Sequence, residues 1–319
     1  MDNIKLVYSN SKSFNGIKLY SLHLYNDLIN SGHFVKLKPL HKIEFTINKK
    51  KVGGWLSQRL FTFLIGNAKI VHSTSHWDIS KYTNITTIHD LIPLLEKDFN
   101  ITTMARNYYM HILNTVKKQV KVIIVPSNYV KSQVESVIKD IYIEVIPSKI
   151  FVKDAIKNPY PNDNKLHLLT IGEIRNGFNR KQIYELYDWL KDNEYIDLYH
   201  IGKIEDTRYI NYAKNIHWLG SVSEQDKFNY LKYADKFVFK TIGEGQGFPV
   251  MEAMKMNTQV VINDIPVHRE LLGDKPYYFN SKDEFFYMIY ANKKSGLVNQ
   301  ISQYDNWIEK YLKVYGEFL

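Results

Sequence analysis

The chain has 319 residues, of which 45% are hydrophobic and 24% charged, and it contains no cysteine. That length exceeds what a single core usually serves, about 250–300 residues, so two domains are expected. The missing cysteines exclude disulfides and thiolate metal sites and fit a reducing compartment. No apolar run approaches the roughly 18–20 residues needed to cross a bilayer. The opening residues lack the apolar core of a signal peptide. A soluble, cytoplasmic protein is therefore expected. The net charge of +9 is uneven: residues 1–150 carry 20 Lys+Arg against 10 Asp+Glu, and the remainder 22 against 23. The basic first half would suit a phosphate-rich acceptor, an anionic lipid surface or a nucleic acid, or would simply be a solvated face.

In chain order, residues 4–8 read as a first strand. A polar loop follows, and then an amphipathic helix over 17–31 that stops at Gly32. Short apolar runs predict strands at 35–37, 70–72, 85–88, 122–125 and 143–146, with helices over 56–65, 103–118 and 129–139 between them. Turn-rich residues 151–164 mark a domain boundary. A second series then begins, with strands at 166–171, 197–201, 216–219, 236–239 and 260–262. A helix over about 180–191 is predicted, and residues 303–318 form an amphipathic tail helix with Trp307, Tyr311 and Tyr315 at helical spacing. Strands alternating with helices indicate parallel sheets covered on both faces. Residues 1–150, joined by the tail, and 151–302 would thus be two Rossmann-like domains.

The most informative stretch runs from Gly243 to Met254, where Glu244 and Glu252 stand eight positions apart across a glycine-rich turn. The strand before it ends at Phe239, and Pro249 suits the first position of a helix. Glycines let the backbone approach a ligand, and a helix start offers N–H groups to an anion. A sugar carrying a diphosphate needs this mixture, because carboxylates accept its hydroxyl protons and amides receive its phosphate charge. The stretch also imitates a dinucleotide fingerprint, but the third glycine would fall at Phe248, so that match fails.

The Gly243–Met254 stretch resembles the signature of family 4 glycosyltransferases, retaining enzymes of the GT-B fold, in which two glutamates flank Gly-x-Gly-[aromatic or Leu]-Pro. Further landmarks extend the resemblance over nearly the whole chain. These are Asn15-Gly16 after the first strand, Thr87 to Pro93 with its His89-Asp90 pair, Val125 to Lys131, Leu168 to Gly172, His217 to Gly220, and Ile265 to Glu270. The resemblance implies two doubly wound α/β domains that close a cleft over the substrate, with the tail helix crossing back to the first domain.

The same resemblance implies the roles. Glu252 would accept hydrogen bonds from ribose hydroxyls, and Glu244, with Gly245, Gln246 and Gly247, would hold the transferred sugar. Phe248 at the helix start would offer its N–H to a phosphate. Asn15 and Gly16 would close on the diphosphate from the first domain, and His89 would approach the reacting centre. Arg180 and Lys181, read as opening a helix, stand near the family's phosphate-binding lysine; the plainer alternative is a solvated basic helix end. One departure from the pattern is Glu173, where relatives carry a cation, so Arg175 or Arg180 with Lys181 would have to supply that charge. No protein nucleophile is implied.

Side chains of metal-ligand type show no constellation by spacing: His72 and His76 stand four apart without a third partner. No metal or other cofactor is expected, the nucleotide sugar being a substrate. The acceptor, whether glycan, lipid-linked or protein, carries no signature. A basic, aromatic stretch from Lys49 to Leu64 could lie on an anionic membrane at the inner face, or be a core helix behind a lysine turn. The alternative from another class is a non-catalytic GT-B-like protein whose basic first half binds membrane or nucleic acid, and Glu173 favours it.

Overall fold

The computed structural model describes residues 4–10, 16–41, 45–47, 50–52, 62, 65–96, 101–176, 179–291 and 301–318. The chain divides into two compact units, Met1–Ser148 with Asn306–Leu319, and Lys149–Asp305.

In the first unit, β1 (Ile4–Asn10), α1 (Gly16–Asn30) and β2 (Val35–His41) are followed by a hairpin of β3 (Phe45–Ile47) and β4 (Lys50–Val52). Then come β5 (Ile70–Ser73), β6 (Ile85–Thr87), α2 (Ile92–Leu95), α3 (Thr103–Gln119), β7 (Val122–Val125), α4 (Asn128–Val137) and β8 (Tyr142–Val145). The sheet order is β2-β1-β5-β6-β7-β8, with every pairing parallel. Strands covered by helices on both faces read as continuous apolar runs, and β7, Val-Ile-Ile-Val, is buried at all four positions. Helix starts are fixed by hydroxyl caps: Thr102 accepts from the Ala105 N–H and Ser127 from the Val130 N–H. The helix expected over 56–65 and most of the Lys49–Leu64 stretch lie outside the described residues.

The tail helix α10 (Trp307–Gly316) belongs to this unit and buries Trp307, Tyr311 and Tyr315. It is tied by polar groups as well as apolar ones. The Trp307 indole N–H donates to Asp27 (2.8 Å), the Tyr311 hydroxyl meets that of Tyr20, and the Tyr315 hydroxyl lies 2.6 Å from His72 Nδ1. His72 Nε2 completes the network with Thr87 Oγ1 at 2.9 Å. Both ring nitrogens of His72 are thus engaged within the core. Its neighbour His76 stacks on Tyr109, with centroids 5.3 Å apart.

The second unit holds β9 (Leu166–Ile171), α5 (Ile183–Leu190), β10 (Ile196–Ile201), β11 (Ile216–Gly220), α6 (Glu224–Tyr233), β12 (Lys236–Phe239), α7 (Phe248–Lys255), β13 (Gln259–Asn263), α8 (Pro266–Leu272), β14 (Tyr277–Phe279) and α9 (Lys282–Tyr290). Its sheet order, β11-β10-β9-β12-β13-β14, is again all parallel. Renumbered from β9, this is the 3-2-1-4-5-6 order of a doubly wound fold, whose direction of progression reverses between β9 and β12. The first sheet reverses between β1 and β5. Both units are therefore Rossmann-like, as the alternation of strands and helices predicts.

Burial pushes the His72 imidazole down to about 3, with a smaller contribution from His89. In the unfolded chain it titrates near 6.5, so between these values only the unfolded state takes the proton, and stability falls as pH drops below about 6.5. At pH 5 this one group should cost about 2 kcal/mol relative to pH 7.5. Urea-unfolding midpoints at the two pH values check it, with a smaller drop expected in His72→Gln.

Candidate functional site

Ligands of doubly wound sheets bind beyond the carboxyl ends of the strands where the order reverses. In the second unit that point lies between β9, which ends at Ile171, and β12, which ends at Phe239. The glycine-rich stretch begins four residues after β12, so topology and motif coincide.

The end of β9 is shaped by two glycines. A side chain on Gly202 would place its Cβ 1.5 Å from the Gly172 carbonyl oxygen, and Gly202 also has φ +148°, which L residues rarely adopt. At Gly172 a Cβ would meet Lys181 Cδ at 2.6 Å, so its absence lets the Lys181 chain lie across the strand end. The Gly172 carbonyl accepts a hydrogen bond from His200 Nε2 (2.8 Å), whose Nδ1 faces the Tyr187 hydroxyl at 2.6 Å.

Arg180 and Lys181 do not open a helix, contrary to the sequence-based expectation; α5 starts at Ile183. The three residues before it are hydrogen-bonded to the chain leaving β12. Lys181 forms an antiparallel bridge with Thr241, the Ile242 N–H donates to the Arg180 carbonyl (3.0 Å), and the Gln182 N–H donates to the Lys240 carbonyl (2.9 Å). Cross-strand pairing, rather than a helix start, therefore positions these two cations. Arg180 Nη2 reaches 3.6 Å from Glu244 Oε2. Burial lowers the Lys181 ammonium, Glu244 opposes that shift, and Arg180 adds to it. Arg175 does not join this group. Its guanidinium is bound to Glu173 at 2.6 and 2.8 Å in an exposed pair.

The loop after β12 is held from below. The Asn263 side chain accepts from the Thr241 N–H (3.0 Å) and donates to its carbonyl (2.7 Å), and the Thr241 hydroxyl donates to the Gly243 carbonyl (3.0 Å). Gly247 caps α7 with φ +77°, which places Phe248 at the first helical position and Pro249 at the second, one later than expected. Glu244 is buried in the loop, within reach of the Thr241 hydroxyl at 3.4 Å. Glu252 lies one turn into α7 and accepts from Lys227 Nζ at 2.8 Å. Burial raises the Glu252 carboxyl against the pull of Lys227. Gly245 and Gln246 complete the loop, with the Gln246 side chain buried beside Met251.

The structure thus brings Arg180, Lys181, Glu244, Gly245, Gln246, Gly247, Phe248 and Glu252 to one end of one sheet. Two further residues belong there that sequence reasoning did not assign. Lys227, on α6, binds Glu252, and its helix carried no motif. His268, on α8, donates from Nδ1 to the Asn263 carbonyl (3.1 Å) and turns a buried Nε2 toward Gly247, where a Cβ would stand 3.7 Å away. Burial lowers its pKa, so it is a neutral imidazole with an unprotonated Nε2.

Gly16 and His89 belong to the first unit, and Asn15 lies outside the described residues. Gly16 opens α1. His89 follows β6 and donates from Nε2 to the Thr74 carbonyl (2.9 Å), just beyond β5 and hence beside that sheet's own reversal point. The Tyr20 ring meets it edge-on at 4.9 Å. Burial lowers its pKa, opposed by the Thr74 carbonyl and Asp90. His89 is therefore a neutral imidazole with Nδ1 as an acceptor. The reading of no metal-type constellation needs correction, because Asp163, His167 and Asp197 do cluster, at the opposite end of the second sheet. Two of them come from neighbouring strands, which linear spacing cannot show.

Residues 165–303 match the family described as glycosyl transferases group 1. Over 270 residues, 81% of this chain and 73% of the relative, the chain is 26% identical to the O-antigen chain mannosyltransferase RfbU of Salmonella typhimurium. Among solved structures it is similar to the sucrose-phosphate synthase of Thermosynechococcus elongatus, with TM-score 0.73 and 11% identity over 98% of each chain. It is also similar to HepE of Anabaena, solved with UDP and glucose, with TM-score 0.70 and 10% identity over 98% of this chain and 100% of the other. The chain is a GT-B glycosyltransferase, and its second unit carries the group 1 domain.

Substituting Gly202→Ala should destabilise the second unit by about 3 kcal/mol or more, because a backbone carbonyl rather than a flexible side chain must give way. Urea unfolding against wild type measures it.

Proposed function

We propose that this glycosyltransferase moves a hexose from a nucleotide-diphosphate donor to a glycan, lipid-linked or protein acceptor, with retention of anomeric configuration and without a metal. The observation that carries the reading is the meeting of Glu244 and Glu252 with Arg180, Lys181 and a glycine-capped helix start at the reversal point of the second sheet. Mannose is the hexose that the name of the Salmonella relative suggests, and a uridine diphosphate donor the one that HepE's bound ligand suggests.

Breaking the anomeric bond develops negative charge on the leaving phosphate. Arg180 and Lys181 would stabilise it together with the N–H groups around Gly247 and Phe248. A buried ammonium gains most from such an anion, because its own desolvation is then offset. Glu252, with one carboxylate oxygen held by Lys227, would accept the ribose hydroxyls through the other. Glu244 and the amides of Gly245 and Gln246 would hold the hydroxyls of the transferred sugar. In the proposed front-face route a leaving phosphate oxygen takes the acceptor proton, so no covalent residue is required. His89 would orient the donor sugar, and Asn15 and Gly16 would meet the diphosphate from the first unit. That unit's basic excess would serve the acceptor side, including peripheral contact with an anionic membrane. No described helix is long and apolar enough to cross one.

A panel of nucleotide sugars with detection of released nucleotide tests the reading directly. Glu252→Ala should lose about 100-fold or more in kcat/KM, equivalent to roughly 2.7 kcal/mol of transition-state binding. Turnover at the wild-type level in that variant would refute the site. Thermal shifts with UDP, GDP and ADP should show stabilisation by at least one nucleotide, and Arg180→Ala should diminish it. A protein indifferent to all three is not using this site for a nucleotide sugar.

A further inference from the structure

At the amino ends of β9 and β10, the far end of the sheet from the glycine-rich loop, three side chains of metal-ligand type converge, and His217 on β11 approaches one of them. His167 and Asp197 are register partners on neighbouring strands, so they lie side by side on one face. His217 pairs with Tyr199, two residues along from Asp197, and so shares that face. Asp163 comes from the turn just before β9. The ligand atoms of Asp163, His167 and Asp197 all lie within 4.8 Å of one another. His217 Nε2 stands 3.4 Å from Asp197 Oδ1, and His167 Nε2 stands 3.1 Å from Asp163 Oδ1.

Neither close approach is a hydrogen bond. Both Nε2 atoms are buried and have no hydrogen-bond partner, although a carboxylate oxygen is near each. His167 is only 7% exposed, so water does not readily supply the missing partner. A buried imidazole nitrogen left unpaired costs free energy. Two donor atoms just over 3 Å apart and not aimed at each other are what adjacent corners of a coordination polyhedron look like. With zinc bonds of about 2.0–2.1 Å, the corners of a tetrahedron are roughly 3.3–3.4 Å apart.

The surroundings orient the same four groups. The Tyr160 ring stacks on His167 (5.1 Å between centroids), and Tyr199 stacks on His217 (4.6 Å), so both imidazole planes are set. The Lys165 N–H donates to Asp163 Oδ1 (2.9 Å), and the backbone of His167 is bound to Asp235 on both sides. Such outer contacts fix ligand direction in metal sites. Lys165 Nζ lies 3.0 Å from Asp197 Oδ1, which gives this buried carboxylate one positive partner. The Lys165 side chain is 39% exposed, so its ammonium can swing into solvent when a divalent cation takes over its role.

We propose that Asp163, His167 and Asp197 form a binding site for one divalent cation of the zinc class, with His217 packed against Asp197 as an outer neighbour. An imidazole beside two carboxylates suits Zn²⁺ rather than Mg²⁺ or Ca²⁺, which take oxygen ligands. The ion would staple the turn before β9 to two strands of the sheet. Its role is structural, and it lies a strand's length away from Glu244 and Glu252.

The test uses the full chain without a polyhistidine tag, stripped with chelator, dialysed free of it, and titrated with ZnCl₂ by calorimetry. Elemental analysis after gel filtration should then give one zinc per chain. Zinc should raise the melting temperature, and EDTA should reverse the rise. Bound Co²⁺ should give the intense visible absorption of a tetrahedral site. His167→Ala should bind zinc at least 10-fold more weakly. Asp163→Asn, at an exposed position where folding is safer, should weaken it in the same direction. A wild-type chain that retains no zinc, a weak octahedral cobalt spectrum, or undiminished affinity in Asp163→Asn would each overturn the site and leave an ion-pair network in its place.

Discussion

The arrangement of the second unit depends on the short antiparallel contact between residues 180–182 and 240–242. Within the sheet, β9 and β12 are adjacent, but their connections leave in opposite directions, so their carboxyl ends open a crevice. The contact crosses that crevice and sets two cations beside the glycine-rich loop. Without it, Arg180 and Lys181 would be surface charges before a helix. With it, Arg180 meets Glu244, and Lys181 lies over Gly172, its ammonium 5.1 Å from the centre of the Phe239 ring. The glycine at 172 follows from the same closeness, since a Cβ there would collide with the Lys181 side chain that the contact brings in.

The charges in this group hold one another in usable states. Glu252 is buried enough for its carboxyl to be raised, and Lys227 keeps one oxygen engaged. Buried charges persist only when paired and hydrogen-bonded. The pairing therefore does more than stabilise: it leaves an oriented carboxylate with acceptor capacity to spare. His268 adds a neutral ring behind Gly247, its tautomer set by the Asn263 carbonyl. Asn263 in turn bonds the Thr241 backbone, so strand β13, the loop and α8 are locked as one unit.

What could be read from the sequence was local. The apolar run of β7, the glycine-rich turn before α7 and the four-residue spacing of Trp307, Tyr311 and Tyr315 each encode their element locally, and each element formed within a few residues of where it was expected. The two Rossmann-like folds followed from the alternation. What could not be read was non-local or short. Arg180 and Lys181 looked helical because their pairing partners are about 60 residues away. Strand β14 and the β3–β4 hairpin have three-residue strands, too short for a period to show. Lys227 lies on an otherwise unremarkable amphipathic helix, and the His167–Asp197 pairing exists only through strand register.

The first unit shows how a tail separated in sequence becomes part of a core. Helix α10 contributes three aromatic side chains that are at most 2% exposed, and each also finds a polar partner on the sheet or α1. Apolar burial alone would tolerate sliding of the helix by a turn, since Trp307, Tyr311 and Tyr315 are spaced at regular four-residue intervals. The hydroxyl and indole contacts remove that freedom, because a shift of one turn would leave Asp27, Tyr20 and His72 each facing the wrong side chain. His72 is neutral and fully buried, so it cannot trade its Tyr315 partner for water. His89 bonds the Thr74 carbonyl and packs edge-on against Tyr20, and so draws its orientation from the same network. The tail helix thus takes part in setting the His89 imidazole beside this unit's own strand reversal.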